Sequence, residues 1–411
     1  MKKPLLFMHA PPEHIPHVIN ASVLYSGLRK NYNIEPNWVT MNVVDTDKIL
    51  KTKKFIEKLK LEELLEYADT EVENCFRYVK DEMNPTEEEL EGFIIKYNPS
   101  VVFLYYFPPF WWPIVQICKK NNISIGIHVQ VNYIKDYENF IFENVKNAKE
   151  ALIEADYLTV SQEKEKKDLA HYLKKDERNI YVIDKSIPTR VLSEVVSGKN
   201  DSSFEQQYLD IQNILNNGKR NLGYIGRLDD IKNIHWFLEE CMPRLREVND
   251  KFNLILIGDG NRGDYIQKKS KEYSNVYLLK NKLPYKDTLT FLRKLDLIIF
   301  PSGYDLTPRL PLEALAVGTE VILGDFNFNE VYKEFSIVVP EEASEKCNLD
   351  YTNYKAMYGI PNRDVMVNKI IDFINSTKED NLSQEKILKR VDPLVNVKGF
   401  YEAIKFYLIG D

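Results

Sequence analysis

The chain has 411 residues, 44% of them hydrophobic and 28% charged, with a formal net charge of −7. That length suits two or three domains with a sizeable core, the acidic balance argues against a nucleic-acid binder, and no run of eighteen apolar residues offers a membrane span. Sixteen glycines and 19 prolines exclude a collagen-like or linker-dominated chain; four scattered cysteines (Cys75, Cys118, Cys241, Cys347) with no CxxC argue against a disulfide framework or zinc cluster and fit a reducing cytoplasm.

Short apolar runs alternate with helical patterns from the start. The apolar stretch in MKKPLLFMHA is too short for a signal peptide and reads as a first strand. A helix over Ile19 to Arg29 follows, then a strand NWVTMNV, then a charged helical stretch from about Asp47 to Glu91. Six lysines stand between Lys48 and Lys60. A solvated helix face and a peripheral contact with an anionic membrane both fit them, and Glu62, Glu63 and Glu66 weaken the basic field. Further strands are expected at Ser100 to Phe107, at ISIGIHVQV, at Asp156 to Val160 and at Asn179 to Ile183, with a helix over Ile114 to Lys120. Alternation of this kind builds βαβ units and a mostly parallel sheet.

The composition changes near VSGKNDSSFEQQ, which marks 196–220 as an interdomain segment. A second α/β series then begins, with strands NLGYIG, FNLILIG, NVYLL, LDLIIFP, TEVILG and FSIVVP, and the chain closes on a helix around Val397 to Leu408. The expected architecture is α/β: two Rossmann-like domains, 1–195 and 221–385, facing each other across a cleft, with 386–411 returning to the first. In open α/β sheets ligands bind beyond the carboxyl ends of the strands, so chemistry is sought there.

Three such positions stand out in the second half. GRLDDIKN, directly after NLGYI, places Arg227 and Lys232 five residues apart on a strand-to-helix connection, either as a diphosphate clamp of two cations and free backbone N–H groups or as two solvated charges on an exposed loop. GDGNRG, after FNLILI, satisfies G-x-G-x-x-G through Gly258, Gly260 and Gly263. The dinucleotide reading needs an acid at the end of the next strand, and Lys280 and Lys282 stand there instead; a glycine turn close to a ligand or a plain tight turn remains. PSGYDLTPRLPLEALAVG, after LDLIIF, carries Asp305 and, eight positions on, Glu313. Glu313 is read as beginning a helical stretch, where it either accepts hydrogen bonds from vicinal hydroxyls or complements the helix dipole.

In the first half, His9, His14 and His17 follow the first strand, either as acceptor-binding groups or as solvated loop histidines. YYFPPFWWP (Tyr105 to Pro113) offers tryptophans either to an acceptor or to packing beneath a loop.

These pieces resemble the donor domain of retaining GT-B glycosyltransferases, specifically glycosyltransferase family four. GRLDDIK, LILIGDG, NVYLL, LDLIIFPS and the acid-x7-acid run into LEALAVGTEVI cover about Asn221 to Asp325 in the family's order. DYLTVSQEKEKKDL, NIYVIDKSIP and GIHVQV are similar to first-half segments. The resemblance implies that Arg227 and Lys232 bind the donor pyrophosphate and stabilise the departing nucleoside diphosphate. It places Glu313 at the ribose hydroxyls, Asp305 near the transferred sugar, Leu310 and Pro311 at the phosphates, Lys282 and Leu283 in the base-contacting loop, and His128 at the sugar or the reacting centre. A buried core histidine is the other reading of His128. The sequence departs from the family where Asp305, Leu306, Thr307 and Pro308 replace Glu-Gly-Phe-Gly, since Pro308 has no N–H to donate.

The expected activity is therefore transfer of a sugar from a nucleotide-diphosphate sugar, UDP being the commonest donor type, to a hydroxyl acceptor: a carbohydrate, a lipid-linked glycan or a protein. No Asp-x-Asp stands at a strand end, so a metal-independent reaction without cofactor is expected, by internal return with retention of configuration. The alternative is a catalytically silent nucleotide-sugar-binding partner subunit.

Overall fold

The computed structural model describes residues 5–9, 23–24, 27–34, 36–43, 73–79, 82–83, 86–105, 110–129, 147–187, 189–199, 201–248, 250–280, 283–303, 308–325, 330–342, 347–351, 354–376 and 384–409. Two compact units emerge, Met1–Pro188 with Val391–Asp411, and Thr189–Arg390.

The first unit is built on β1 (Leu5–His9), β2 (Asn37–Val43), β3 (Glu73–Val79), β4 (Glu82–Met83), β5 (Val101–Tyr105), β6 (Ser124–His128), β7 (Tyr157–Val160) and β8 (Ile180–Val182). They form one sheet in the order β4-β3-β2-β1-β5-β6-β7-β8. Every neighbouring pair is parallel except β3 and β4. Val101 to Tyr105 are all buried, as a central parallel strand covered on both faces requires. The charged stretch expected to be helical from Asp47 to Glu91 is corrected in its described part: β3 and β4 precede helix α1 (Glu87–Lys96), which Thr86 and Glu89 close with a capping box. The sheet wins because β3 pairs with β2 over five registered positions, a tertiary contact that local charge does not encode. Lys48 to Lys60 lie outside the described residues.

Helices α2 (Trp111–Lys120), α3 (Ala148–Glu154) and α4 (Glu163–Leu173) complete the crossovers. Trp111 is fully buried in α2, so it packs the core, while Trp112 is half-buried. The C-terminal helix Pro393–Ile409 joins the same unit, its Val397, Phe400, Ala403, Ile404 and Leu408 buried in one cluster with Phe103, Tyr105 and Tyr157. Phe400 meets Phe103 at 4.5 Å between ring centroids.

The second unit opens with α5 (Thr189–Val196), α6 (Asp201–Gln207) and α7 (Leu209–Leu215). The expected interdomain segment 196–220 is thereby corrected: it holds two helices that bury Phe204, Ile211 and Leu215, and Tyr208 donates to Asp287 at 3.0 Å. Polar composition masked three apolar anchors at helical spacing. Strands β9 (Arg220–Ile225), β10 (Phe252–Ile257), β11 (Val276–Leu279), β12 (Leu297–Phe300), β13 (Glu320–Gly324) and β14 (Ile337–Val339) pair in parallel in the order β11-β10-β9-β12-β13-β14. This is the doubly wound order 3-2-1-4-5-6, whose switch point lies between β9 and β12. Helices α8 (Gly263–Ser270), α9 (Tyr285–Arg293), α10 (Arg309–Ala316), α11 (Glu330–Phe335) and α12 (Arg363–Asn375) connect or follow them. A hairpin of β15 (Cys347–Tyr351) and β16 (Tyr354–Tyr358) stands apart from the sheet, its ends pinched where Asn362 N donates to Pro340 O at 2.7 Å.

Candidate active site

The switch point gathers the loops after β9, β10 and β12. Gly226 leaves β9 at φ +154°, and its N–H donates to Ile257 O at 3.0 Å. Leu228 N then donates to Asp259 O at 3.0 Å, and Arg262 N to Leu228 O at 2.9 Å. These bonds lace the first two loops together. Gly258, at φ +151°, and Gly260 allow it: a Cβ on Gly258 would fall 1.8 Å from Gly226 O, and one on Gly260 2.5 Å from Asp229 Oδ1. The glycines of GDGNRG therefore serve the approach of one loop to another.

On this scaffold Arg227 projects outward, its side chain 64% exposed, with Nη1 2.7 Å from Asp229 Oδ2. The contact is an ion pair without hydrogen-bond geometry, because Asp229 Oδ2 has no hydrogen-bond partner. The guanidinium is largely exposed while Asp229 is buried, so Arg227 reaches outward from a buried carboxylate. The backbone beneath it is firmer: Tyr224 donates its hydroxyl to Arg227 O at 2.7 Å. Lys232 ends a short 3-10 turn (Asp230–Lys232), half-buried, with Nζ 5.4 Å from the Phe300 ring centroid. That places it beside the carboxyl end of β12. Asn233 follows in the left-handed region (φ +53°) and donates to Pro301 O at 3.1 Å and Gly359 O at 3.2 Å. Gly303 N donates to Ile231 O at 2.9 Å. The β9 and β12 loops are thus one hydrogen-bonded unit.

Asp305 and Lys282 lie outside the described residues. Leu283 is buried directly before α9. Helix α10 starts at Arg309 with Pro308 at its cap position, so Glu313 is not its first residue but sits one turn in. A helical side chain leans toward the N-terminus, which carries the Glu313 carboxylate back to Arg309, whose Nε donates to Oε1 at 2.6 Å. Leu310 and Pro311 occupy the first turn; Pro311 is buried and has no N–H to offer a phosphate.

In the first unit His128 ends β6 and is 1% exposed. Its register neighbours fix it: the ring stacks on Tyr105 at 4.4 Å, and Nδ1 meets Thr159 Oγ1 at 2.8 Å. Nε2 is buried without a hydrogen-bond partner among the described residues. Burial, then the charge of Lys185, holds its pKa at about 3, so the ring is neutral. It is buried, as one reading expected, but only half satisfied. Nearby, Glu165 accepts from Ser161 N at 2.9 Å, and burial pushes its carboxyl up to about 7. The side chain of His9, together with His14, His17 and Tyr106 to Pro109, lies outside the described residues.

Arg309, Tyr285, Asn233, Thr159 and Glu165 were not singled out from sequence. Arg309 and Glu313 carried a signal, opposite charges at i and i+4 on a helical stretch. Thr159 carried none, because its tie to His128 comes from strand register.

Two Rossmann-like units in one chain, with a site at the switch point of the second, define the GT-B fold class. Residues 219–347, which include all three of these loops, match the family Glycosyl transferases group 1. An uncharacterized glycosyltransferase of Methanocaldococcus jannaschii is 28% identical over 254 residues, 59% of this chain and 56% of that relative, so the chain spans little more than half its length. A solved glycosyltransferase from Rickettsia africae superposes with a TM-score of 0.67 at 15% identity over 100% of both chains. Anabaena HepE in complex with UDP superposes with a TM-score of 0.66 at 14% identity over 98% of this chain and 100% of that one. At such identities these likenesses show the fold. Among the described residues no helix is long and apolar enough to cross a membrane.

Proposed function

We propose that the protein is a glycosyltransferase that moves a sugar from a nucleotide-diphosphate sugar, UDP-linked in the first instance, to a hydroxyl acceptor, with retention of configuration and without a metal ion. The observation that carries this reading is the laced pair of loops at the switch point, which presents Arg227 and Lys232 inside the segment matched to group 1 glycosyl transferases. HepE, of like fold, is described in complex with UDP, which supports the choice of base. The relation to family four, and with it retention, rests on the sequence motifs.

Glycosyl transfer passes through an oxocarbenium-like state while negative charge gathers on the leaving diphosphate. Arg227 and Lys232 stabilise that charge as it develops, which lowers the barrier more than equal binding of the ground state would. Glu313 holds the ribose, and Asp305 orients the transferred sugar. His128, being neutral, donates or accepts a hydrogen bond through Nε2 and does not act as a cation. The acceptor is a carbohydrate, a lipid-linked glycan or a protein.

The test is release of nucleoside diphosphate from UDP-, GDP-, ADP- and dTDP-sugars with EDTA present. Release from one donor supports the reading and names the sugar. Tight nucleotide binding without release, with or without added acceptors, points to a silent nucleotide-sugar-binding subunit. Binding of none overturns both.

A further inference from the structure

Arg309 is 8% exposed, and nothing in the reaction above uses it. Its Nε donates to Glu313 Oε1 at 2.6 Å and its Nη2 to the Tyr285 hydroxyl at 3.3 Å. Burial and the charge of Glu313 push the pKa of that hydroxyl up. Arg309 thus links Glu313 on α10 to Tyr285 at the start of α9. All lie in the stretch that follows β11 and β12, on the carboxyl side of the sheet. A buried ion pair is a weak stabiliser compared with apolar packing of equal volume, so holding this one at the start of α10 favours a binding role over a structural one.

That link leaves Glu313 with acceptor capacity to spare. A carboxylate has about four acceptor positions. Arg309 Nε occupies one, and about three are left, two of which a vicinal diol requires. We propose that Arg309 and Tyr285 are positioning residues that hold Glu313 as a fixed acceptor for the ribose 2′- and 3′-hydroxyls, so that the site takes ribonucleoside diphosphates and discriminates against deoxyribose donors. This assignment rests on the nucleotide-sugar reading of the same site.

The experiment is a cycle between protein and ligand: calorimetric affinities of UDP, 2′-deoxy-UDP and 2′,3′-dideoxy-UDP for the wild type, Arg309→Met, Arg309→Lys and Tyr285→Phe. The wild type is expected to prefer UDP over the dideoxy ligand by at least about tenfold, since hydrogen bonds to a charged group are involved. Arg309→Met is expected to lose that preference while its affinity for the dideoxy ligand stays within about twofold of wild type, and Arg309→Lys to restore part of it. Equal loss for both ligands, or an undiminished preference, overturns the proposal. If Arg309→Met does not fold, Tyr285→Phe, which removes one hydroxyl, carries the same comparison: a preference reduced several-fold supports the proposal and an unchanged one overturns it. A wild type that binds UDP without any ribose preference overturns this assignment alone; one that binds no nucleoside diphosphate overturns the nucleotide-sugar reading beneath it.

Discussion

The carbonyl oxygen of Gly226 lies 1.8 Å from where a Cβ on Gly258 would stand. Two consecutive strand ends are therefore in backbone contact at the point from which Arg227 projects. Gly258 also has φ +151°, which side chains rarely adopt. Gly258→Ala should destabilise the second unit by about 2 kcal/mol or more and displace the β9 loop. Denaturant unfolding together with nucleotide titration checks this; unchanged stability and affinity would show that the loops part easily.

Arg227 and Lys232 are assigned to the same diphosphate, so their removal should resemble each other. Arg227→Ala and Lys232→Ala should each weaken nucleoside-diphosphate binding by about tenfold to a hundredfold, in keeping with about 1.5–3 kcal/mol for a charge-assisted hydrogen bond. Arg227→Ala also leaves the buried Asp229 without its ion-pair partner, so thermal stability should fall with it. Donor turnover at the wild-type rate in both variants would end the diphosphate assignment.

His128 and Glu165 should pull the pH dependence of the first unit in opposite directions. The pKa of His128 falls from 6.5 to about 3 on folding, so between these values the unfolded chain binds more protons and stability rises with pH. That of Glu165 rises from 4.5 to about 7, so between those values the folded chain binds more protons and stability falls as pH rises. The slopes oppose each other from pH 4.5 to 6.5. Glu165→Gln should expose a stability that climbs with pH there, and His128→Gln one that declines, each by up to about 1.4 kcal/mol per pH unit. Chemical denaturation of the three proteins across the window measures it; parallel curves would contradict the assignment.

Thr159 is the hydrogen-bond partner of His128 Nδ1. Thr159→Val keeps the shape and leaves a buried nitrogen without a partner, which should cost about 1–3 kcal/mol. Thr159→Ser should retain most of the stability. If both variants unfold alike, packing of the methyl group matters more than the hydroxyl.

Much of this protein is determined by sequence alone. The strands FNLILI and LIIF stand where apolar, β-branched runs between turn signals put them, because burial on both faces of a parallel sheet leaves a local imprint. The positions of Arg227, Lys232 and Glu313 after strand ends were legible for the same reason: a loop that follows a buried strand emerges at the carboxyl edge. Tertiary structure decided the rest. Helices α6 and α7 form in a polar segment because Phe204, Ile211 and Leu215 find a distant core. Gly258 and Gly260 are glycines because a neighbouring loop, separated by a helical crossover in sequence, occupies the space of their side chains. Strand register sets His128 between Tyr105 and Thr159, and the packing of α9 beside α10 brings Tyr285 to the Arg309–Glu313 pair. Periodicity records which face a residue buries; it does not record which residue of another element arrives there.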